Sequence, residues 1–339
     1  MMILVTGAAG HLGNVLVREL LANGEKVRAL VLPGEDIQSL ENLDVEVFEG
    51  NILDQEKITK ACEGVEMVYH LASLVAITEE MFDLMQLVNI EGTRNVIQAA
   101  RQTGVKRMVY TSSIHALERP KPGVVIDERL AFDPNNPAGP YDRTKAAATL
   151  LVLEAVKTGL DAVIVCPTGV IGPYDFKRSE MGEMMLSWMK KRPSVSIQGK
   201  FDFVDVRDVA LGHILAGEKG KPGETYLLSG EQITISTLRC LVQQAAGVDT
   251  QEIKFPARFA AFLAPLMEVY YRITKTRPKF TRYSVETLRS NSLISSLKAQ
   301  RELGYRPRRL SDSIKDTVEW WLQNLHKTVS SLRTGALRP

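Results

Sequence analysis

The nine residues VTGAAGHLG at positions 5–13 constrain this chain more than any other stretch. They follow a short apolar run, MILVT, and open a segment in which Leu12, Val15, Leu16 and Leu20 recur at helical spacing until Asn23 and Gly24 end it. A strand, a tight glycine turn and a helix in that order begin a βαβ unit. The three glycines have separate duties. Gly7 allows the turn, Gly10 lets backbone approach a ligand, and Gly13 lets the helix pack close to the sheet. The pattern predicts a dinucleotide whose pyrophosphate meets the free N–H groups and positive dipole end of that helix.

The rest of the first half repeats the same alternation. KVRALVL, VEVFEG, EMVYHLA, KRMVYTSS and DAVIVCP are short apolar runs rich in β-branched residues, separated by helical periodicity near 54–63, 80–102 and 140–157. Strands buried on both faces and joined by helices predict an α/β fold, a Rossmann-type doubly wound parallel sheet. After Pro167 the rhythm changes to a loop, a Met-rich helix MGEMMLSWMKK and shorter elements, which predicts a smaller mixed C-terminal substrate lobe. The expected division is a dinucleotide domain over 1–170, rejoined over 202–219, within and just past the stretch FDFVDVRDVALGHILAGE. The lobe then takes 171–201 and 220–327, with a closing helix near 311–325 and a tail over 328–339. FPARFAAFLAPLMEVYYRIT reads as a packed helix pair broken at Pro265 that also suits a ligand wall.

Composition excludes several classes of function. Among 339 residues, 42 basic and 40 acidic side chains leave a net charge of +2 without long charged blocks, so neither nucleic acid nor an anionic membrane is expected as a partner. Cys62, Cys166 and Cys240 lack metal-ligand spacing, so no metal is expected and a reducing compartment suits them. No apolar run reaches membrane-spanning length, and the opening MMILVTG has no signal core, so the expected location is the cytoplasm.

YDRTK, at 141–145, places a phenol and an amine one helical turn apart. A tyrosine holds its proton to about pH 10, and a neighbouring ammonium is one of few ways to make it an acid or base near neutrality. A snorkelling lysine beside a half-buried tyrosine satisfies the same five residues. YTSS, at 110–113, ends a strand at the same sheet edge, and its Ser112 and Ser113 suit either a substrate oxygen or a turn. At the end of the second strand stand Val31 and Leu32, neither an acid for a ribose hydroxyl nor an arginine for a 2′-phosphate. With no carboxylate there and Arg28 nearby, the reading inclines toward NADP over NAD.

In this order TGAAGHLG, YHLAS, NIEGTRNVIQAA, YTSS, YDRTK, CPTGVIGP and FVDVRDVA resemble the extended short-chain dehydrogenases/reductases over nearly the whole chain. The resemblance implies that Tyr141 is the acid/base, that Lys145 lowers its pKa and holds the nicotinamide ribose, and that Ser113 positions the substrate oxygen. It implies NAD(P) contacts from Gly7, Ala9, Gly10, His11, Leu12 and Gly13, from Arg28, Asn51 and Ile52, and from Leu71, Ala72, Ser73 and Asn89. Pro167, Gly169 and Val170 complete that set. Nucleotide-sugar members carry an asparagine and an arginine where this chain has Gly169 and Phe201, which points instead to a more apolar carbonyl or alcohol and to the dihydroflavonol reductase-like branch. Ser112, His115, Met181, Met185 and Phe201 are the candidate substrate residues. A sugar epimerase or dehydratase retaining NAD, and a non-catalytic dinucleotide sensor, are the alternatives. The resemblance also implies a homodimer through the helices near 80–102 and 140–157.

Overall fold

A computed structural model describes residues 1–334 apart from 77–78, 122, 257–281 and 290. The helix pair expected around Pro265 lies outside the described residues. Six strands come first: β1 (Met2–Thr6), β2 (Lys26–Val31), β3 (Glu46–Glu49), β4 (Met67–His70), β5 (Arg107–Thr111) and β6 (Ala162–Pro167). Between them run α1 (His11–Ala22), α2 (Gln55–Cys62), α3 (Phe82–Met85), α4 (Gly92–Gln102) and α5 (Pro140–Lys157). The helix expected over 80–102 is interrupted, because α3 passes into a π-helical stretch, Gln86–Glu91, before α4 begins. Beyond β6 come β7 (Gly169–Ile171), α6 (Glu180–Trp188), β8 (Ser194–Ile197), β9 (Lys200–Asp205), α7 (Val206–Lys219), β10 (Thr225–Leu228), β11 (Glu231–Thr234) and α8 (Ile235–Ala246). The chain continues through β12 (Glu252–Phe255), α9 (Arg282–Arg289), α10 (Leu297–Glu302) and α11 (Leu310–Thr334).

Seven strands form the main sheet in the order β10-β6-β5-β4-β1-β2-β3, every neighbouring pair parallel. Strand order reverses between β1 and β4, and such a switch point opens a crevice at the carboxyl edge. Alternate side chains of each strand divide between two cores. Leu4, Val68 and Met108 pack with Ile58, Val96 and Val152 of α2, α4 and α5, whereas Ile3, Val5 and Val109 pack with Val15, Leu16 and Val209 of α1 and α7. All six residues of β6 are buried, as a central parallel strand requires.

Two smaller sheets lie beyond this edge: β11-β9-β7, with one antiparallel and one parallel pairing, and the parallel pair β12-β8. Here the expected division fails in one respect. FDFVDV is not a strand of the main sheet but β9 of the small one, although the α7 that follows it does pack under the main sheet. The seventh main strand is instead β10, inside the stretch assigned to the lobe. A short, fully buried run says that a strand forms but not which sheet will accept it. The closing helix also runs past Lys327 to Thr334, since no glycine or proline intervenes before Gly335.

Candidate functional site

The glycine turn sits at the carboxyl end of β1 and is built as its spacing predicts. Gly7 has φ +70°, and a Cβ there would come 2.9 Å from the Ala72 nitrogen. A Cβ on Gly13 would come 2.1 Å from the Gly7 carbonyl oxygen, so helix and strand approach as only glycine permits. A Cβ on Gly10 would meet nothing but that same oxygen, at 3.1 Å, which leaves its other side open. No side chain caps α1 and no acidic residue lies in its first turn. This uncapped twelve-residue helix behind a glycine cradle fits a dinucleotide pyrophosphate. His11 Nε2 contacts the Pro173 carbonyl at 3.0 Å and so ties the turn to the loop after β7. Ala9 is buried and Leu12 half-buried against the α1 core.

The neighbouring strand ends revise the sequence reading. Arg28 Nε donates to Glu46 at 2.7 Å, and Nη1 donates to the carbonyls of Ala61 and Glu63 at 2.7 and 2.9 Å. It lies near the amino end of β2, opposite Leu4, and is committed there, so it is not available to a 2′-phosphate at the other edge. A carboxylate does stand at that edge. Leu32-Pro33-Gly34-Glu35 forms a tight turn, with Glu35 N donating to Leu32 O at 3.0 Å and Gly34 at φ +73°. The turn folds the Glu35 side chain back to accept the Leu32 N–H at 2.8 Å, and Lys177 pairs with its other oxygen. Reading only the last strand residues missed this acid; the Pro-Gly pair was the signal.

Asn51 is exposed just beyond β3, its Oδ1 accepting the Leu53 N–H at 2.9 Å. Ile52 is instead a core residue, lying where a Cβ on Gly92 would be 2.4 Å from its Cδ1. The loop from Leu71 to Ser73 lines the crevice and is held by a directional chain. The Thr6 hydroxyl accepts from the Leu71 and Ala72 nitrogens at 3.2 and 3.1 Å and must therefore donate to His70 Nδ1 at 2.7 Å. His70 Nε2–H then donates to Thr93 at 3.0 Å, and burial pushes the imidazole down to about 3, so it stays neutral. Asn89 corrects its assignment as a cofactor contact. It is fully buried, accepts from Ser73 Oγ and Leu74 N at 3.1 and 2.7 Å, and donates to Leu74 O and Thr144 Oγ1 at 3.0 and 3.1 Å. With its amide spent inside the protein, Asn89 braces this loop against α5.

Pro167 is buried at the end of β6, and Gly169 and Val170 are half-buried on β7. A Cβ on Gly169 would lie 2.8 Å from the Phe203 ring, so no polar side chain fits where nucleotide-sugar members have one.

Ser113, Tyr141 and Lys145 converge at the ends of β5 and the start of α5. The Ser113 side chain lies beside the Tyr141 phenol, its Oγ accepting the His115 N–H at 3.2 Å. Lys145 is 3% exposed, donates Nζ to the Thr111 carbonyl, and lies 4.7 Å from the Tyr110 ring centroid. Burial pushes the lysine down to about 7. Burial also raises the Tyr141 phenol above its ordinary value, and the neighbouring Ser113 hydroxyl opposes that shift. The expectation that Lys145 lowers this phenol is therefore not met in the chain alone. The ammonium is turned to a carbonyl, and burial disfavours the ionised form of both groups.

Ser112 points the other way, bonding Thr149 at 2.7 Å inside the core, so it is not a substrate residue. Met185 is likewise core, whereas Met181 is only partly buried; both lie near His11, Ile171 and Gly172. Phe201 stacks on His115, centroids 5.7 Å apart at 6°. Sequence reasoning missed His213 of α7, whose Nε2 meets the Thr111 hydroxyl at 2.8 Å while Nδ1 donates to Val209 O at 2.7 Å, fixing the residue whose carbonyl holds Lys145. No local pattern signals that contact. Among the described residues no group of three His, Cys, Asp or Glu side chains is placed to hold a metal.

Residues 3–229 match the family model described as the NAD dependent epimerase/dehydratase family. The chain is 38% identical over 325 residues to sterol demethylase protein B of Methylococcus capsulatus, covering 94% of this chain and 97% of that protein. It is 29% identical over 306 residues to the 4-hydroxy-2-methyl-3-oxo-4-farnesyl-3,4-dihydroquinoline-1-oxide ketoreductase of Stigmatella aurantiaca, covering 89% and 90%. Among solved structures, that of gox2253 superimposes with a TM-score of 0.83 at 33% identity, covering 95% of this chain and 98% of that one.

Proposed function

Because the chain belongs to the NAD-dependent epimerase/dehydratase family, and is an enzyme of the extended short-chain dehydrogenase/reductase type, we propose that it reduces a ketone or aldehyde of an apolar small molecule. The observation that carries this reading is Ser113 beside Tyr141, with the buried Lys145 one turn further along α5, at the carboxyl edge that also bears the glycine turn. A bound nicotinamide dinucleotide supplies the hydride. Gly7 and Gly10 hold its pyrophosphate at the α1 amino terminus, which Gly13 lets pack against the sheet, and Asn51 holds its adenine. Ser113 orients the substrate oxygen, and Tyr141 donates the proton to it. Lys145 steadies the developing phenolate once its ammonium faces the phenol. Glu35 at the edge of β2 supports NAD rather than NADP, since a carboxylate accepts from a ribose hydroxyl and repels a 2′-phosphate. The names of the two relatives, a sterol and a farnesylated quinoline, support an apolar substrate, as does the Phe203 ring against Gly169.

Leu84, Leu87 and Leu150 are 44, 50 and 40% exposed on α3, the π-helical stretch and α5, which supports a homodimer through this face, measurable by sedimentation. No helix among the described residues is long and apolar enough to cross a membrane. The free thiols Cys62, Cys166 and Cys240 suit the cytoplasm. The test is consumption of NADH at 340 nm with a panel of apolar carbonyl compounds, with Tyr141→Phe as control. The variant should bind NADH as before and lose about 10³-fold in turnover. Turnover comparable to the parent would refute the assignment.

A further inference from the structure

Asp142 follows the proton donor on α5, and its side chain is fully buried. The carboxylate is held from two sides: Tyr283 OH of α9 donates to Oδ1 at 2.7 Å and Arg119 donates to Oδ2 at 3.0 Å. Tyr283 reaches it by passing close to Gly139, where a Cβ would be 2.7 Å from the ring. The same Oδ2 stands 4.0 Å from His115 Nδ1. The His115 ring is clamped in turn, stacked on Phe201 and 6.0 Å from the Tyr283 centroid, with its backbone N–H bonded to Ser113 Oγ at 3.2 Å. Its Nε2 has no hydrogen-bond partner among the described residues.

Burial, aided by Arg119, outweighs the pull of Asp142 and holds His115 below its ordinary value, so the ring is neutral near pH 7. A neutral imidazole carries one proton. At 4.0 Å the Asp142 carboxylate is beyond hydrogen-bond reach of Nδ1, but its charge favours the proton on that nitrogen and leaves the lone pair on Nε2. No donor among the described residues meets that lone pair, and Phe201 and Tyr283 flank the ring that carries it. We infer that His115 is a specificity residue that accepts a hydrogen bond at Nε2 from a hydroxyl on the substrate, one or two carbons from the carbonyl, with Asp142 as the positioning residue that fixes its tautomer. This rests on the reductase reading, because the neighbour of His115 is the serine that orients the carbonyl. The substrate class becomes an apolar hydroxy ketone rather than a simple ketone.

Two measurements test it on the full chain. With NADH, kcat/KM for 2-hydroxy-1-indanone should exceed that for 1-indanone about tenfold, the worth of one such hydrogen bond. His115→Phe should abolish that preference, and His115→Gln, which keeps an acceptor near the Nε2 position, should restore most of it. Tyr283→Phe should weaken the preference through KM rather than kcat. Independently, ¹⁵N spectra of histidine-labelled protein, with His115→Gln identifying the signal, should show His115 protonated on Nδ1 alone at pH 7, and Asp142→Asn should mix the tautomers. Equal kcat/KM for the two ketones, a preference surviving in His115→Phe, or a proton on Nε2 in the parent would each overturn the inference. Turnover of neither ketone would count against the reductase reading, and the tautomer would then decide the inference alone.

Discussion

Lys145→Met isolates the cost of burying the amine that the proposed chemistry needs. Methionine keeps the length and apolar volume of the side chain while removing its ionisable end. The lysine is 3% exposed, and burial moves it from 10.5 to about 7. Each pKa unit is about 1.4 kcal/mol, so forcing the proton onto the folded chain costs about 5 kcal/mol. The sign follows from which state binds the proton. Below pH 7 both states are protonated and the folded chain bears the full cost. Between pH 7 and 10.5 the unfolded chain holds a proton that the folded chain has released, so stability rises with pH; above 10.5 the cost is gone. Urea unfolding of parent and variant at half-unit steps from pH 6 to 9.5 measures this directly. The stability of the parent relative to Lys145→Met should be flat below pH 6.5 and should rise by about 2 kcal/mol between pH 7.5 and 9.5. Curves parallel across the whole range would show that Lys145 keeps an ordinary pKa, and the account of both it and Tyr141 as groups held neutral by burial would fail.

The other expectations are briefer. Gly13→Ala drives a methyl against the Gly7 carbonyl, so it should lower stability by about 3 kcal/mol and weaken NADH binding at the displaced helix end, read by denaturation and fluorescence titration. Asn89→Ala strands the donors and acceptors of Ser73, Leu74 and Thr144, at about 2–4 kcal/mol in thermal unfolding. Glu35→Gln should shift the NADH-to-NADPH ratio of kcat/KM toward NADPH about tenfold, whereas Arg28→Ala should leave that ratio unchanged.

What the amino-acid order determined by itself is everything written in short-range pattern. Glycines three apart behind a strand dictate the turn because a Cβ at Gly7 or Gly13 has nowhere to go. Alternating apolar runs dictate a parallel sheet, and YDRTK places its phenol and amine on one helical face. Side-chain partners brought from far along the chain were decided only by tertiary structure. Arg28 looked available until β3 set Glu46 beside it, and Ser112 remained a lesser candidate beside Ser113 until α5 put Thr149 against the first and Tyr141 against the second. FDFVDV and TYLL are both apolar runs, and only packing against β6 or β7 sorted them into different sheets. The physical reason is common to all these cases: dihedral preference and hydrophobic period act over a few residues, whereas a hydrogen bond or a pKa answers to whatever the sheet register brings within about 3 Å.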